Sequence, residues 1–220
     1  MDDSERAVRS VCAGVDGVRY LRVRPSTAGA KLNIGIEAAR GRIIQKIDDD
    51  DYYAPRFLQT SVEHLTGRDP ERTLVTRCCF LTLVGSDGVL RDSGHGWSAG
   101  GAFCFFRDLW RRIPFRDVPA SEDSLFLKDH RPDIVRICRA EEYVVVRHGG
   151  NHWTRVRLDN APVTSDADAY LGTRAHAPIT AAGLLDADSL AFYRRVLRWP
   201  VNAPAATQRL GRSRRNWSRG

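Results

Sequence analysis

Four consecutive carboxylates, Asp48 to Asp51, follow the strand-like run Arg42 to Ile47 and precede Tyr52, Tyr53 and a helix-like segment opened by Pro55. Each charge repels the next, so a fold that gathers all four must supply something positive or leave them in water. Along an extended chain alternate side chains share a face, so Asp48 and Asp50 are expected to converge while Asp49 turns away. Two hard oxygen ligands on one side suit Mg²⁺ or Mn²⁺, which take one or two carboxylates together with substrate phosphates and water. A solvated acidic turn is the competing reading of the same run. Asp51 has a separate use, as a cap for the helix near Pro55 or as a partner for loop backbone. A calcium loop of the EF-hand type does not fit, because its Gly and its late Glu are absent.

The flanking texture predicts where this cluster sits. "SERAVRSVCAG" fits a short helix capped by Ser4, and "VRYLRVR" a strand; "KLNIGIEAARG" fits a helix ending on Gly41 as its C′ residue. "RIIQKID" reads as the next strand, and Pro55 opens a helix reaching about Leu65. Further on, "RTLVTRCCFLTLVG" is one long β-rich stretch, "GGAFCFF" a short buried strand and "RDLWRRI" a helical turn or two. "SEDSLFLKDH" reads as a helix capped by Ser121, followed by the strands "DIVRICR" and "EEYVVVRH". Helices alternating with strands imply an α/β fold with a mostly parallel sheet, and in such sheets ligands collect at the carboxyl ends of the strands. Asp48 to Asp51 occupy one of those ends.

The 220 residues suit one medium domain with a core plus extensions, and they divide as 1–158, a helical extension 159–200 and a basic tail 201–220. The net charge of +7 is carried almost wholly by Arg and suits anionic ligands such as phosphates. Part of it lies in the closing "RLGRSRRNWSRG", which reads as a flexible tail; no specific nucleic-acid partner is expected. Five cysteines without C-x-x-C spacing read as small buried hydrophobes rather than disulfides or zinc ligands. The first ten residues lack signal-peptide character and no run of eighteen apolar residues occurs, so a cytoplasmic protein is expected.

"KLNIGIEAARGRIIQKIDDDDYYAPRFL" resembles the central segment of glycosyltransferase family 2, the inverting enzymes of GT-A fold. "SAGGAFCFFRDLWRRIPF" is similar to the family's Gly-Gly strand and acceptor-side helix, and "VPASEDSLFLKDH" to its Glu-Asp element. "VVVRHGGNHW" resembles, more loosely, the closing segment in which a His or aromatic residue nears the diphosphate or metal. The resemblance implies a three-layer α/β/α, GT-A-like fold and transfer of a sugar from a nucleotide-diphosphate donor, UDP-linked in most members, to an acceptor hydroxyl. It implies Asp123 as catalytic base with Glu122 beside it, and Asp48, Asp50 and His148 as ligands of Mn²⁺ or Mg²⁺ in a DXD motif. Donor contacts would come from Asp2, Asp3, Lys31, Asn33, Asp48, Gly100, Gly101 and His148. Tyr52 and Tyr53 would underlie the metal loop, and Trp97 would border the acceptor.

Asp2, Asp3 and Ser4 resemble the end of the family's second strand, so the chain is expected to lack the first βαβ unit, of roughly thirty residues. That expectation supports a second reading, a non-catalytic GT-A-like remnant or binding module that has lost its donor-binding half. The acceptor, whether glycan, lipid-linked or protein, is not specified by the sequence; peripheral membrane association and oligomeric state are left open too.

Overall fold

The computed structural model describes residues 1–3, 8–24, 26–84, 87–157 and 164–198. A 3-10 turn, Arg9–Cys12, precedes helix α1, Ala28–Ala38, whose N-cap Thr27 accepts from the Ala30 N–H at 3.1 Å. There follow β1 (Ile43–Gln45), β2 (Tyr52–Tyr53), α2 (Phe57–Leu65), β3 (Thr73–Arg77), β4 (Leu81–Val84) and β5 (Leu90–Asp92). A 3-10 turn, Gly100–Ala102, leads into β6 (Cys104–Phe106), α3 (Arg107–Arg112), α4 (Glu122–His130), β7 (Asp133–Ile137) and β8 (Tyr143–Arg147). The described chain closes with β9 (Arg155–Arg157), β10 (Thr164–Asp166), α5 (Ala167–Gly172), α6 (Ala181–Leu184) and α7 (Ala187–Val196).

The first sheet has the order β1-β6-β3-β7 and the second β2-β8-β4-β5, while β9 and β10 form a hairpin. The α/β class is as the sequence suggests, with mixed sheets. Of the described ladders only β3/β7 and β4/β8 are parallel, less than the alternation of helices and strands implied. In the first sheet β6 runs against both β1 and β3, so its start lies beside their carboxyl ends. Lys46, Asp48, Gly100 and Gly101 therefore gather at one edge of that sheet.

Side-chain alternation explains why helices cover both faces of the first sheet. Leu74 and Phe105 pack with Ile36 of α1, Leu109 and Trp110 of α3 and Phe126 of α4. Their chain neighbours Val75 and Cys104 point the other way, against Leu65 of α2. That makes three layers. The second sheet is covered by α6 and α7, with Ala181, Leu185 and Tyr193 joining Tyr52, Leu81, Leu83, Leu90, Val144 and Val146 in one core. The helices expected as peripheral thus share the core of the second sheet. Both the anticipated boundary at 158 and the segment 201–220 lie outside the described residues.

Several local expectations change. Among the described residues "VRYLRVR" forms only a single bridge, Asp2 to Arg22. Of the first expected helix the described residues show the 3-10 turn Arg9–Cys12, and Ser4, its expected cap, lies outside them. Helix α1 stops at Ala38 and its C-cap Ala39 is already extended, so Gly41 is not the C′ residue. The stretch 73–84 divides into two strands in different sheets, bending at Cys78 to Phe80. Ser121 stands at the N-cap of α4 but with φ of 67°, and its side chain makes no capping bond. Cys78 and Cys138 form a disulfide, against the expectation of unpaired cysteines, because they prolong the parallel partners β3 and β7 side by side. Among the described residues no helix is long and apolar enough to cross a membrane.

Candidate active site

Two carboxylates from distant parts of the chain meet at the edge of the first sheet. Lys46, one residue past β1, places its Nζ 3.0 Å from Asp48 Oδ1 and 3.4 Å from Asp123 Oδ2. Its side chain is only 9% exposed, so the ammonium is committed to these two partners. Burial alone would depress it, but Asp123 and then Asp48 outweigh that and hold it above the ordinary lysine range. The positive group required by the acidic run is thus partly internal.

Both carboxylates rest on glycines. A β-carbon on Gly101 would sit 2.5 Å from Asp48 Oδ2, and one on Gly100 would collide with the Asp123 carboxyl. The Gly-Gly pair is therefore a cradle for carboxylates. Beneath it, the Asp48 N–H donates to Tyr53 Oη at 2.8 Å and the Tyr53 hydroxyl donates to the Gly101 carbonyl at 2.9 Å. Tyr53 stacks on Tyr143 at 5.0 Å between centroids. Tyr53 thus underlies the acidic loop as anticipated, whereas Tyr52 turns into the core of the second sheet.

Asp123, near the N-terminus of α4, keeps Oδ1 buried and without a hydrogen-bond partner. Burial, opposed by Lys46 and reinforced by Glu122 and Asp48, pushes its carboxyl up to about 6. A carboxylate so poised can take a proton near neutral pH. Glu122 is half-buried next to it.

The other members of the acidic run diverge. Asp49 is exposed. Asp50 Oδ2 lies 3.0 Å from His148 Nε2 and accepts from Asn151 Nδ2 at 2.9 Å. The Asp50 and His148 side chains are 34% and 31% exposed, so this pair faces solvent at the loop. Asp48 faces Lys46 and Gly101 instead, so among the described residues Asp48, Asp50 and His148 are not gathered as one group that could hold a metal ion, against the convergence expected of Asp48 and Asp50. Asp51 turns inward, accepting from the Tyr143 hydroxyl at 2.7 Å and the Val146 N–H at 2.9 Å. Burial raises its carboxyl to about 7 in spite of those bonds, with Asp48 and Asp50 adding to the rise. It thus serves strand β8, which is neither of the two uses foreseen for it, a cap for the helix near Pro55 or a partner for loop backbone.

The remaining candidates are placed apart from this cluster or are spent on structure. Asp3 and Lys31 pair with each other at 3.0 Å. Asp2 is buried, accepting from the Val8 N–H at 3.0 Å and from the Tyr20 hydroxyl, with Arg22 at 3.0 Å. Asn33 faces the helix packing instead of a phosphate. Its amide donates to the Phe115 carbonyl at 2.8 Å and accepts from Trp110 Nε1 at 2.8 Å and the Phe115 N–H at 3.0 Å, because α1 needs that loop fixed. His152 is exposed, and Trp97 and Trp153 meet edge to face at 5.7 Å. Sequence reasoning missed Lys46; the signal was a lone charged residue at the end of an apolar strand, two residues before an acidic run.

The family model Glycosyl transferase family 2 matches residues 1–77, which include α1, β1 and the acidic run. No curated protein matches the chain. Among solved structures, that of S. aureus TarS 1-349 in complex with UDP-GlcNAc is similar at 15% identity and a TM-score of 0.45. The match covers 64% of this chain and 45% of that one, so the chain spans less than half of that protein's length. The likeness to glycosyltransferase family 2 thus rests on residues 1–77, about a third of the chain.

Proposed function

We propose that the protein transfers a sugar, with inversion at its anomeric carbon, from a nucleotide-diphosphate sugar to an acceptor hydroxyl, with Asp123 as general base. The observation that carries this is the convergence of Asp123 and Asp48 on Gly100 and Gly101, with Lys46 between them. An acceptor hydroxyl is a poor nucleophile until its proton is removed. Asp123 Oδ1 takes that proton as the new bond to the anomeric carbon forms and the bond to the diphosphate oxygen breaks. Lys46 holds the other oxygen and fixes the carboxyl plane, while Glu122 orients the acceptor. Asp50, with His148 beside it, would hold a divalent cation, Mn²⁺ or Mg²⁺, together with the donor's phosphate oxygens. Such an ion supplies charge neutralisation for the departing diphosphate. A UDP-linked donor is the choice that the resemblance favours.

Calorimetry with a panel of UDP-sugars and Mn²⁺, followed by assay of nucleoside diphosphate release, tests the reading. Metal-linked donor binding is expected in the wild type and in Asp123→Asn, with turnover in that variant lower by about 10²–10⁴-fold. Asp50→Ala should lose the metal linkage of binding. Full turnover in Asp123→Asn would remove the base assignment. Absence of any metal-linked donor binding would leave the non-catalytic scaffold as the better description.

A further inference from the structure

A second cluster of ligand-type side chains lies at the same edge of the first sheet, outside the acidic site. Cys78 follows β3 and Cys138 follows β7, and because these strands run parallel in register their next residues emerge together. Cys79 is the following residue of the bend between β3 and β4. His95 comes from the loop after β5, where Gly94 and Gly96 hold φ of 77° and 97° and so turn the chain on both sides of it. One ligand atom from each of Cys78, Cys79, Cys138 and His95 lies within 4.8 Å of all the others. His95 Nδ1 is 3.9 Å from Cys78 Sγ.

We propose that in the reduced protein Cys78, Cys79, Cys138 and His95 form a tetrahedral Zn²⁺ site, of which the Cys78–Cys138 disulfide is the metal-free, oxidised form. Three sulfurs and one imidazole are a ligand set selective for zinc over the hard cations suited to Asp50. A tetrahedron with bonds of ~2.3 Å has edges of about 3.8 Å, so the four side chains need move only by roughly 1 Å to close on one ion. Burial, with Asp92 and Glu141, holds the Cys79 thiol above its ordinary value while Arg77 opposes them, so an uncomplexed Cys79 is a neutral thiol. Coordination is the step that would deprotonate it.

The site would have a structural task. The loop carrying His95 is already fastened to the end of β3, with the Trp97 N–H donating to the Cys78 carbonyl at 3.0 Å and the Ala99 N–H to the Arg77 carbonyl at 3.2 Å. The same loop runs directly into Gly100 and Gly101. A metal joining this loop to β3 and β7 would fix the cradle on which Asp123 and Asp48 rest.

Loading balances simply. A phosphine reductant takes the disulfide to two thiols, using one water and leaving as the phosphine oxide. Zn²⁺ then forms three Zn–S bonds and one Zn–N bond, and three thiol protons are released. The test is the zinc content of the full chain purified anaerobically with a phosphine, beside Cys79→Ser and His95→Ala, neither of which removes the disulfide. About one equivalent is expected in the wild type. Each variant should lose affinity beyond the ~10–100-fold that removal of a mere supporting residue costs. Zinc-free reduced protein, or zinc content untouched by both variants, overturns the proposal. Should the variants fail to fold, Co²⁺ titration of the reduced wild type decides. Thiolate-to-metal charge transfer with intense tetrahedral d–d bands supports the site, and a weak octahedral spectrum overturns it.

Discussion

A β-carbon placed on Gly100 would lie 2.6 Å from Asp123 Cγ, and nearer still to its Oδ2. The glycine therefore has a purpose independent of backbone freedom, since its φ is not in the left-handed region. Gly100→Ala must push the carboxyl of Asp123 away from Lys46, while Gly101→Ala must displace Asp48 and the Tyr143 hydroxyl. We expect each substitution to lower transfer by about 10²-fold, the cost of misplacing a reacting group by about 1 Å. Melting temperature and turnover should be measured together; turnover near wild type in a folded Gly100→Ala protein would show that the cradle is unnecessary.

Lys46 is the ion that makes two neighbouring carboxylates tolerable. In Lys46→Met the charge that opposes burial at Asp123 is gone, so the Asp123 carboxyl rises above about 6. A base must be deprotonated to act, and activity is therefore lost on the acid side. The acid limb of the kcat/KM profile should move upward by about one pH unit or more, while the alkaline limb stays in place. A profile that keeps its acid limb would separate Lys46 from Asp123.

Asp51 gives the fold a pH dependence of defined sign. Its carboxyl rises from 3.8 in the unfolded chain to about 7 when folded, chiefly by burial. Between these values the folded state binds the extra proton, so stability falls as pH rises and is lowest above about 7. At pH 8 this amounts to at most about 4 kcal/mol. Asp51→Asn keeps an acceptor for the Val146 N–H and can donate to Tyr143 Oη. Chemical denaturation across pH 5 to 8 should show a flatter stability curve for that variant, with its largest gain at pH 8. A parallel pair of curves would be inconsistent with a raised Asp51.

Arg77 anchors β3 in the core. Fully buried, its guanidinium donates to Glu142 Oε2 at 2.9 Å, Ser61 Oγ at 3.2 Å and the Phe57 carbonyl at 3.2 Å, and lies 4.2 Å from the Phe57 ring centroid. Glu142→Ala leaves that charge without its counter-ion in the core. Destabilisation by about 3–5 kcal/mol is expected in urea unfolding, several times the effect of breaking the exposed Arg72–Asp133 pair.

Much of this architecture could be read from single residues and their neighbours. Apolar runs fixed the existence of β3, β7 and β8, and Pro55 with its following pattern located α2, because burial periodicity and the fixed φ of proline are local properties. Their limits follow from the same physics. The run 73–84 carries no mark of its bend, since each half is buried, and which sheet receives it depends on strands far along the chain. Asp48 and Asp123 could be nominated for the site, but their bridging by Lys46 spans 77 positions between Lys46 and Asp123.

The sequence by itself determined that the acidic run would close a strand, because chain direction and hydrophobic pattern are written in the order of residues. Only the tertiary structure decided which strand ends share an edge. Antiparallel entry of β6 beside β1 brought Gly100 and Gly101 under two carboxylates, and parallel β3 and β7 brought Cys78 to Cys138. Contacts between distant segments arise from strand pairing and helix packing, which no local stretch of chain encodes.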